Sequence, residues 1–488
     1  MKKHVILTAV GLLLALLLTL CACTEPAVTV VGTHYDAEGN LILEMSDGST
    51  VNGGRYESPA PVDENPQGLD FYPLTDGTYG VAVGKATRLT EIVVPATYQG
   101  KPVTKIMEKG FANCKVRRIT LPESITAIEK EAFSYSALVD IRLPESLTVI
   151  EEKTFQGCEL TTVTIPVGIV EIKTDAFRGC DKLIEIENCS ELEINLGDPD
   201  HRNGGISTSA LNIYTPYKGE KKTFTTAEGY VFYADGGYRY LIDYVGNGTD
   251  LTLPADCNGQ DYQIYQYAFS GNGQLKSVIC PEGVTQVWRY AFASCGNLQR
   301  VSLPETLCKI GSYAFLNCHS LIELNIPDAV SVVDKDMFFN CKKLIRLENN
   351  VFYVDKWAIE SQDNEQVLRP DTVGLGTGAL TRWSGTTLIL PDTLRRIGSY
   401  AVAYSDEMCE VVIPASVEYI DDKAFLGCSM LSAVYWGGTE KNDALFAGVG
   451  FGEGTVLYLY SEEEPTGEGN YWHYVDGAPT PWQAIADA

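Results

Sequence analysis

The stretch that decides the fold is residues 304–327, which read PETLCKIGSYAFLNCHSLIELNIP. Leu321, Leu324 and Ile326 alternate with polar residues, and this alternation predicts a short strand with one buried face. Pro327 then ends the strand and starts a turn, because proline cannot donate a hydrogen bond to a sheet. We interpret the stretch as one coil of a repeating structure.

The same pattern recurs every 22–23 residues on both sides of this stretch. Eleven units are recognisable, two of them with Leu380 or Val402 in place of the phenylalanine. The prolines are Pro122, Pro144, Pro166, Pro281, Pro304, Pro327, Pro391 and Pro414, and the phenylalanines are Phe111, Phe133, Phe155, Phe177, Phe269, Phe292, Phe315, Phe338 and Phe425. One coil of this size cannot bury its apolar side alone, so the coils must stack. With strands about 4.8 Å apart, the sequence predicts a long parallel sheet along one side.

The repeat resembles a known family. Its Ile-x-x-Ile, Ala-Phe, Cys and Leu-x-x-Ile-x-Leu-Pro elements are similar to BspA-type leucine-rich repeats of bacterial surface proteins, over roughly residues 80–440. Two further segments resemble the first and last parts of such arrays: VVPATYQGKPVTKI before the repeats and TGEGNYWHYVDGAPTPW after them. The resemblance implies a repeat solenoid with 22–23 residue coils, mostly β with short turns and helical pieces, plus β inserts. It also implies an exported, displayed protein with an adhesive or protein-binding role.

Breaks in the repeat predict the segmentation of the chain. We expect a signal peptide over 1–22, a small β module over 23–58 and a Pro-rich linker over 59–75. The predicted repeat blocks are 76–188, 251–348 and 372–438, separated by a β insert over 189–250 and a second insert over 349–371. An aromatic cap is predicted over 439–488, although its tryptophans could instead form a platform for sugar rings.

The first segment is typical of an export signal. Lys2 and Lys3 precede an uncharged run over 5–20 that is shorter than the roughly 20 residues of a membrane span. The run ends in Leu20-Cys21-Ala22-Cys23, which resembles the lipobox of bacterial lipoproteins. The resemblance implies a diacylglycerol thioether on Cys23 and a lipid anchor on the outer face of the bacterial cell membrane. An ordinary secretory signal cut nearby is the alternative.

Half of the fourteen cysteines have a structural spacing. Each of seven lies three residues after the aromatic position of its unit: Cys114, Cys158, Cys180, Cys295, Cys318, Cys341 and Cys428. Ser136, Asn272 and Ser405 hold the same place in other units. Neighbouring positions should lie at the coil spacing of about 4.8 Å, whereas disulfides need Cβ atoms about 3.8 Å apart. We therefore predict a ladder of packed thiols, and leave open a disulfide among the irregularly spaced cysteines.

Catalytic chemistry has little support in the sequence. Cys318 and His319 are adjacent, so their side chains should point apart and not form a nucleophile and base. The histidines are too scattered for a zinc site, and we predict no metal, no cofactor and no enzyme activity.

A net charge of −27 over 488 residues excludes most nucleic-acid binding, which needs clustered basic residues.

The outward side of the repeat sheet is the best candidate for binding. The repeat register places on it Arg118, Asp140, Arg142, Thr162, Thr164, Arg300, Glu323, Asn325 and Arg346, with Glu185 and Glu187 among their neighbours. Side chains at fixed spacing on a rigid sheet need little ordering to meet a large partner. The alternative is that they only keep the sheet soluble.

These features predict a non-enzymatic recognition or adhesion protein at the cell surface. The expected partner is a protein or an extracellular polymer, and the membrane is contacted only through the anchor. Two alternatives remain, a glycan-binding surface lipoprotein and a scaffold or spacer without a ligand.

The anchor is directly testable. We expect mass spectrometry of the mature protein to find Cys23 as the first residue, carrying a thioether-linked diacylglycerol. An unmodified N terminus at another residue would refute the anchor.

Overall fold

The computed structural model describes residues 30–35, 40–45, 49–55, 67–197, 203–362, 366–466 and 468–482. The chain divides into two compact units, one of residues 1–65 and 97–100, the other of residues 66–96 and 101–488. The predicted signal peptide, Cys23 and the first half of the Pro-rich linker lie outside the described residues.

Three antiparallel strands are described near the start of the first unit: β1 (Val30–Tyr35), β2 (Asn40–Met45) and β3 (Thr50–Arg55). They lie in the order β1-β2-β3, with Thr33 opposite Leu43 and Leu43 opposite Val51. These strands fall in the segment for which the sequence predicts a small β module.

The strands that follow are short, as expected for coils. Up to residue 214 they are β4 (Asp70–Pro73), β5 (Tyr79–Ala82), β6 (Glu91–Val93), β7 (Thr97–Tyr98), β8 (Lys101–Ile106), β9 (Arg118–Thr120), β10 (Ala127–Ile128), β11 (Asp140–Ile141), β12 (Val149–Ile150), β13 (Thr162–Ile165), β14 (Glu171–Ile172), β15 (Glu185–Asn188) and β16 (Asn212–Tyr214). Up to residue 361 they are β17 (Thr223–Thr225), β18 (Tyr230–Asp235), β19 (Tyr238–Tyr244), β20 (Asp250–Thr252), β21 (Tyr262–Ile264), β22 (Ser277–Ile279), β23 (Val284–Val287), β24 (Arg300–Ser302), β25 (Lys309–Ile310), β26 (Glu323–Leu324), β27 (Arg346–Glu348), β28 (Val351–Val354) and β29 (Trp357–Ser361).

The remaining strands are β30 (Gly374–Leu375), β31 (Thr387–Ile389), β32 (Arg396–Ile397), β33 (Glu410–Ile413), β34 (Tyr419–Ile420), β35 (Ala433–Trp436), β36 (Val456–Tyr460), β37 (Tyr471–Val475) and β38 (Ala478–Pro481). Within the described ranges, helix is limited to two 3₁₀ turns, at Asn203–Gly205 and Lys335–Phe338. This composition confirms the predicted solenoid of mostly β coils.

Most coils contribute two strands, one before the repeat proline and one after it. The strands before the proline form the pre-proline sheets, which are β11-β9-β6, β13-β15-β16, β20-β22-β24-β26 and β31-β33-β35-β36-β37-β38. Those after the proline form sheets that include β10-β8-β5-β4, β12-β14, β17-β18-β19-β21-β23-β25 and β27-β28-β29-β30-β32-β34. Successive coils pair in parallel and in register, for example Val278 with Val301 and Val301 with Leu324.

The pre-proline side is therefore four sheets, where the sequence predicts one long sheet. Two of the breaks fall where the repeat pattern itself is interrupted, after β16 and after β26. The third falls between β11 and β13, which belong to consecutive coils but to separate sheets.

Each block of coils begins with an antiparallel hairpin. The hairpins β4–β5, β18–β19 and β28–β29 each pass to a parallel strand of the next coil, through the pairs β5–β8, β19–β21 and β29–β30. The second hairpin turns at Gly236-Gly237, as its sequence predicts, with Asp235 opposite Tyr238. A hairpin thus supplies the first strand on which the following coils stack.

The phenylalanines form stacked columns through the core. Phe111, Phe133, Phe155 and Phe177 have successive ring centroids 5.5, 5.5 and 5.2 Å apart. The column from Phe269 through Phe292 and Phe315 to Phe338 has steps of 4.9, 5.3 and 5.9 Å. All eight rings are essentially inaccessible to solvent. Truncating such a ring to alanine typically costs about 3–5 kcal/mol, so the columns are a major source of cohesion between coils.

The backbone around nearly every ring follows one rule. Residues two before and two after the aromatic position take the left-handed conformation, as at Tyr290 and Ser294 around Phe292. Phe338 is the exception, because only Asn340 does so there and the residues before the ring form a 3₁₀ turn. Leu380 and Val402, which replace phenylalanine, keep the same flanking turns and are fully buried. These paired left-handed residues make the two sharp turns that point each ring inward.

The last sheet closes the array with the aromatic tail. β37 pairs in parallel with β36 and antiparallel with β38. Trp472 is buried, and its indole nitrogen donates to the Trp436 carbonyl at 2.8 Å. The Trp482 indole nitrogen donates to the Ser461 carbonyl at 3.0 Å, and its ring stacks on His473. Both indoles are therefore engaged within the tail, which favours the predicted cap over a sugar platform.

Candidate recognition surface

Opposite charges alternate along the first pre-proline sheet. Glu91, Arg118 and Asp140 stand side by side in register, and all three are exposed. A guanidinium nitrogen of Arg118 lies 3.4 Å from Glu91 Oε1. Sequence reasoning placed Arg118 and Asp140 here but missed Glu91, which the register to the preceding coil would have identified.

A depression lies between the first two pre-proline sheets. It has a volume of about 300 Å³, and the residues lining it include Asp140, Arg142, Thr162 and Thr164. It lies where β11 and β13 fail to pair, so it follows from the break in the sheet. Arg142 is exposed, with Nη2 3.5 Å from Glu123 Oε1, and Thr164 Oγ1 donates to Glu187 Oε2 at 3.0 Å. The structure thus brings four of the sequence-predicted residues to one concave site.

Glu185 departs from the expected outward position. Its side chain is 1 % exposed and accepts hydrogen bonds from Asn212 Nδ2 at 2.8 Å, from the Lys222 amide and from the Thr223 hydroxyl. The chain after β16 folds over the carboxylate, so Glu185 holds this segment against the repeat. The repeat register could not predict this burial of Glu185, because the residues that cover it lie outside the repeat.

A second row of polar residues lies on the sheet of the middle block. Asp250, Ser277, Arg300 and Glu323 stand in register on β20, β22, β24 and β26. Ser277 donates to Asp250 at 2.5 Å, and this hydrogen bond is the main cause of a lowered pKa of Asp250. Arg300 and Glu323 are exposed as expected. Asp250 and Ser277 extend the predicted face by two coils.

The side chain of Asn325 makes hydrogen bonds to the backbone of the neighbouring coil. Its Oδ1 accepts from the Leu303 amide at 2.7 Å, and its Nδ2 donates to the Leu303 carbonyl at 2.7 Å. β26 ends at Leu324, and beyond it the Asn325 side-chain amide bonds the Leu303 backbone groups as a neighbouring strand would. Asn325 thus has a structural role between coils, and its binding role stays a prediction.

Arg346 lies in a different sheet from the other predicted residues. It is on β27, which pairs antiparallel with β28, with Arg346 opposite Tyr353. That pairing places it in the post-proline sheet β27-β28-β29-β30-β32-β34. The hairpin that follows residue 348 redirects the strand, so the prediction that Arg346 shares a face with Arg300 and Glu323 is wrong.

The seven ladder cysteines occupy equivalent buried positions. Six of their thiols donate to the carbonyl of the aromatic-position residue one coil earlier, at 2.9–3.3 Å: Cys158 to Phe133, Cys180 to Phe155, Cys295 to Phe269, Cys318 to Phe292, Cys341 to Phe315 and Cys428 to Val402. Cys114, in an early coil, donates to Phe111 of its own coil at 2.9 Å. Each thiol of the six therefore links two coils at the turn beside the aromatic column.

Burial raises the pKa of most of these thiols and so favours their protonated form. It raises the pKa of Cys158 and of Cys295 to about 12. A thiol reacts mainly as its thiolate, so these side chains are suited to packing and hydrogen bonding. Cys318 is fully buried, whereas His319 is exposed with Nδ1 3.3 Å from the Asn340 carbonyl. The two adjacent side chains thus lie in different environments, as the sequence predicts.

Among the residues that the structure describes, none of the helices has the length and apolar character needed to span a membrane. No group of three or more His, Cys, Asp or Glu side chains there has an arrangement that could hold a metal ion.

Stacked coils with an aromatic column, a thiol ladder and a parallel strand before each proline define a leucine-rich repeat solenoid. The family model for the BspA type leucine rich repeat region matches residues 86–196, 262–374 and 374–447, which together exceed half of the chain. The chain belongs to this family, as its sequence motif indicates.

Several solved structures are similar to the chain, whereas no curated protein matches it. A leucine-rich repeat protein from Eubacterium ventriosum is 18% identical over 87% of this chain and 99% of that chain, with a TM-score of 0.28. A leucine rich cell surface protein from Faecalibacterium prausnitzii is 18% identical over 81% and 99%, with a TM-score of 0.23. A leucine-rich repeat protein from Bacteroides ovatus is 18% identical over 82% and 100%, with a TM-score of 0.24.

The burial of the ladder predicts which thiols react in the native protein. We expect a maleimide at neutral pH to label exposed Cys308 quickly and to leave the seven ladder cysteines unmodified until denaturant is added, with peptide mapping as the measurement. A Cys308→Ser variant is the control, because it should lose the fast label and nothing else. Fast native labelling of Cys295 or Cys318 would contradict the buried ladder.

Proposed function

We propose that this protein recognises a macromolecular partner at the cell surface through its pre-proline sheets, without catalysing a reaction. The observation that carries the proposal is the depression lined by Asp140, Arg142, Thr162 and Thr164. It combines both signs of charge with two hydroxyl groups on a parallel β scaffold. Because the backbone there is fixed by coil stacking, little conformational entropy is lost on binding.

The charge pattern indicates which kind of partner suits this surface. Acidic and basic side chains alternate from coil to coil in the first and middle blocks, so each patch is mixed even though the whole chain carries −27. A protein with its own alternating charges would meet such a face with complementary contacts. We therefore place a protein partner ahead of a uniformly charged polymer. Arg118, Asp140, Arg142, Thr162 and Thr164 form the proposed contact in the first block, and Arg300 and Glu323 extend it in the middle block.

The location at the cell surface also belongs to this proposal. It is supported by the signal-like segment of the sequence and by membership of a family whose name-giving members are surface proteins. Attachment through lipid on Cys23 would leave the repeat free to meet partners outside the cell.

The surface can be tested by site-specific cross-linking. A photoreactive amino acid is placed at Thr164, on the face, and in a second protein at Lys342, which is exposed at a coil bend after the Phe338 position. We expect adducts with extracellular matrix or partner-cell extracts to form from position 164 and to fall at least tenfold when Arg142→Glu is added, since reversing a charge at a complementary contact opposes binding.

Lys342→Glu supplies a matched control, because it makes the same change of charge away from the face. It should leave the adducts from position 164 unchanged. Equal adduct formation from positions 164 and 342, or no effect of Arg142→Glu, would contradict recognition through this surface.

A further inference from the structure

A second pocket lies far along the chain from the depression described above. It has a volume of about 250 Å³ and lies between the segment 366–368 and strand β31 with its flanking residues. Val367, Leu368, Leu388, Ile389 and Pro391 give it apolar walls. Its remaining lining residues are Gln366, Trp383 and Thr387.

Two of these side chains carry polar atoms without partners. Gln366 Oε1 and Trp383 Nε1 are both buried, and neither has a hydrogen-bond partner among the residues that the structure describes. Leaving a buried donor or acceptor unpaired typically costs about 1–3 kcal/mol. Gln366 is only 5 % exposed, so bulk solvent has little access to its side chain. The pocket therefore holds one unused acceptor and one unused donor.

Neighbouring groups hold the Gln366 amide and the backbone of Trp383 in place. Gln366 Nε2 donates to the Gln362 carbonyl at 2.6 Å and lies 3.3 Å from Ser361 Oγ, which leaves Oε1 as the free atom of the amide. The Trp383 amide donates to Ser405 Oγ at 2.9 Å. The indole packs against Gly385, where an added Cβ would lie 2.7 Å from Nε1. The Gln366 acceptor is thus oriented before any ligand arrives, whereas the Trp383 indole nitrogen has no hydrogen-bond partner among the described residues.

A secondary amide is one neutral group whose donor and acceptor match this pair. Its N–H pairs with Gln366 Oε1, its C=O accepts from Trp383 Nε1, and a methyl group on the carbonyl side meets the apolar walls. An indole face also provides a stacking surface for a sugar ring. The strongly acidic chain disfavours anionic ligands.

We propose that this pocket binds the acetamido group of a neutral N-acetylated amino sugar. A peptide fits the pocket less well for two reasons. Peptides add to a sheet through a free strand edge, and on the open side of β31 the chain's own segment 366–368 lies across the pocket. The volume is also below the roughly 300–1,000 Å³ of pockets for larger ligands, so it suits one pendant group. Both polar atoms are covered in the free protein, so Trp383 must turn when the ligand enters.

The proposal is tested by titrating the full chain with N-acetylglucosamine while tryptophan fluorescence is followed, and by saturation-transfer NMR with the same sugar. Glucose and glucosamine, which lack the acetyl group, are the matched ligands. We expect saturable binding of N-acetylglucosamine, with transfer strongest at the acetyl methyl. Glucose and glucosamine should bind at least tenfold more weakly.

Three variants connect the binding to the pocket. Trp383→Phe keeps an aromatic ring but removes the donor, and Gln366→Met removes the acceptor at similar size. Each should weaken binding about tenfold, the effect of losing one neutral hydrogen bond. Gly385→Ala displaces the indole without removing any polar atom and should also weaken binding. Thermal unfolding by circular dichroism shows whether each variant is folded, and Trp482→Phe should leave binding unchanged because its indole is engaged in the tail.

Binding of the blocked peptide N-acetylglycine N-methylamide as tightly as the sugar would overturn the assignment to an amino sugar. Absence of saturable binding to the wild type, or equal binding by the folded Trp383→Phe and Gln366→Met variants, would overturn the site itself. The outcome is independent of the cross-linking at residue 164, because the pocket shares no residue with the proposed protein-binding face.

Discussion

The contact between neighbouring coils around the buried aromatic side chain is the interaction on which this structure depends. Phe292 lies between Phe269 and Phe315, and the thiol of the following coil, Cys318, donates to the Phe292 carbonyl. An aliphatic side chain serves where phenylalanine is missing, since Val402 is buried and accepts from Cys428 in the same manner. Packing of the buried side chain recurs from coil to coil, and a buried thiol hydrogen bond joins it at six of the steps. The exposed face takes its spacing from these contacts. A recognition surface on such a scaffold is rigid because its support is continuous.

The segments that interrupt the repeat supply the strands on which the next coils stack. Each block of coils starts on a hairpin, so residues that leave the repeat pattern supply the first strand of the next stack. Near the second hairpin, Lys182 Nζ is 3.3 Å from Glu159 and 3.6 Å from Asp243 of β19, and both Lys182 and Asp243 are nearly inaccessible. Burial opposes the charge on Lys182, but Asp243 and Glu159 more than offset this and raise its pKa. A buried pair of this kind is strongly destabilising to break, so it ties the hairpin to the preceding coil.

The repeating residues were predictable from sequence, and the non-repeating ones were not. A period of 22–23 residues determines the stacking of Phe292 and the burial of Cys295, because each coil meets the same surroundings. Glu185, Asn325 and Arg346 obey the same register in the sequence, yet their surroundings differ. Glu185 is covered by a later segment, Asn325 bonds the neighbouring backbone beyond the end of β26, and Arg346 pairs with a hairpin in another sheet. Those outcomes depend on contacts made by residues outside the repeat. The pocket at Gln366 and Trp383 has the same origin, since the segment 366–368 that lines it lies in the second interruption of the repeat.

Deleting one whole coil tests the modular stack most directly. Removal of residues 293–315 joins Phe292 to Leu316 and keeps every remaining coil in phase, whereas removal of residues 293–304 leaves half a coil. Thermal unfolding by circular dichroism, together with titration of accessible thiols, measures the result. The whole-coil deletion should unfold cooperatively within a few degrees of the wild type, with its ladder thiols protected, and the half-coil deletion should lose both properties. Equal damage from the two deletions would contradict a structure built from interchangeable coils.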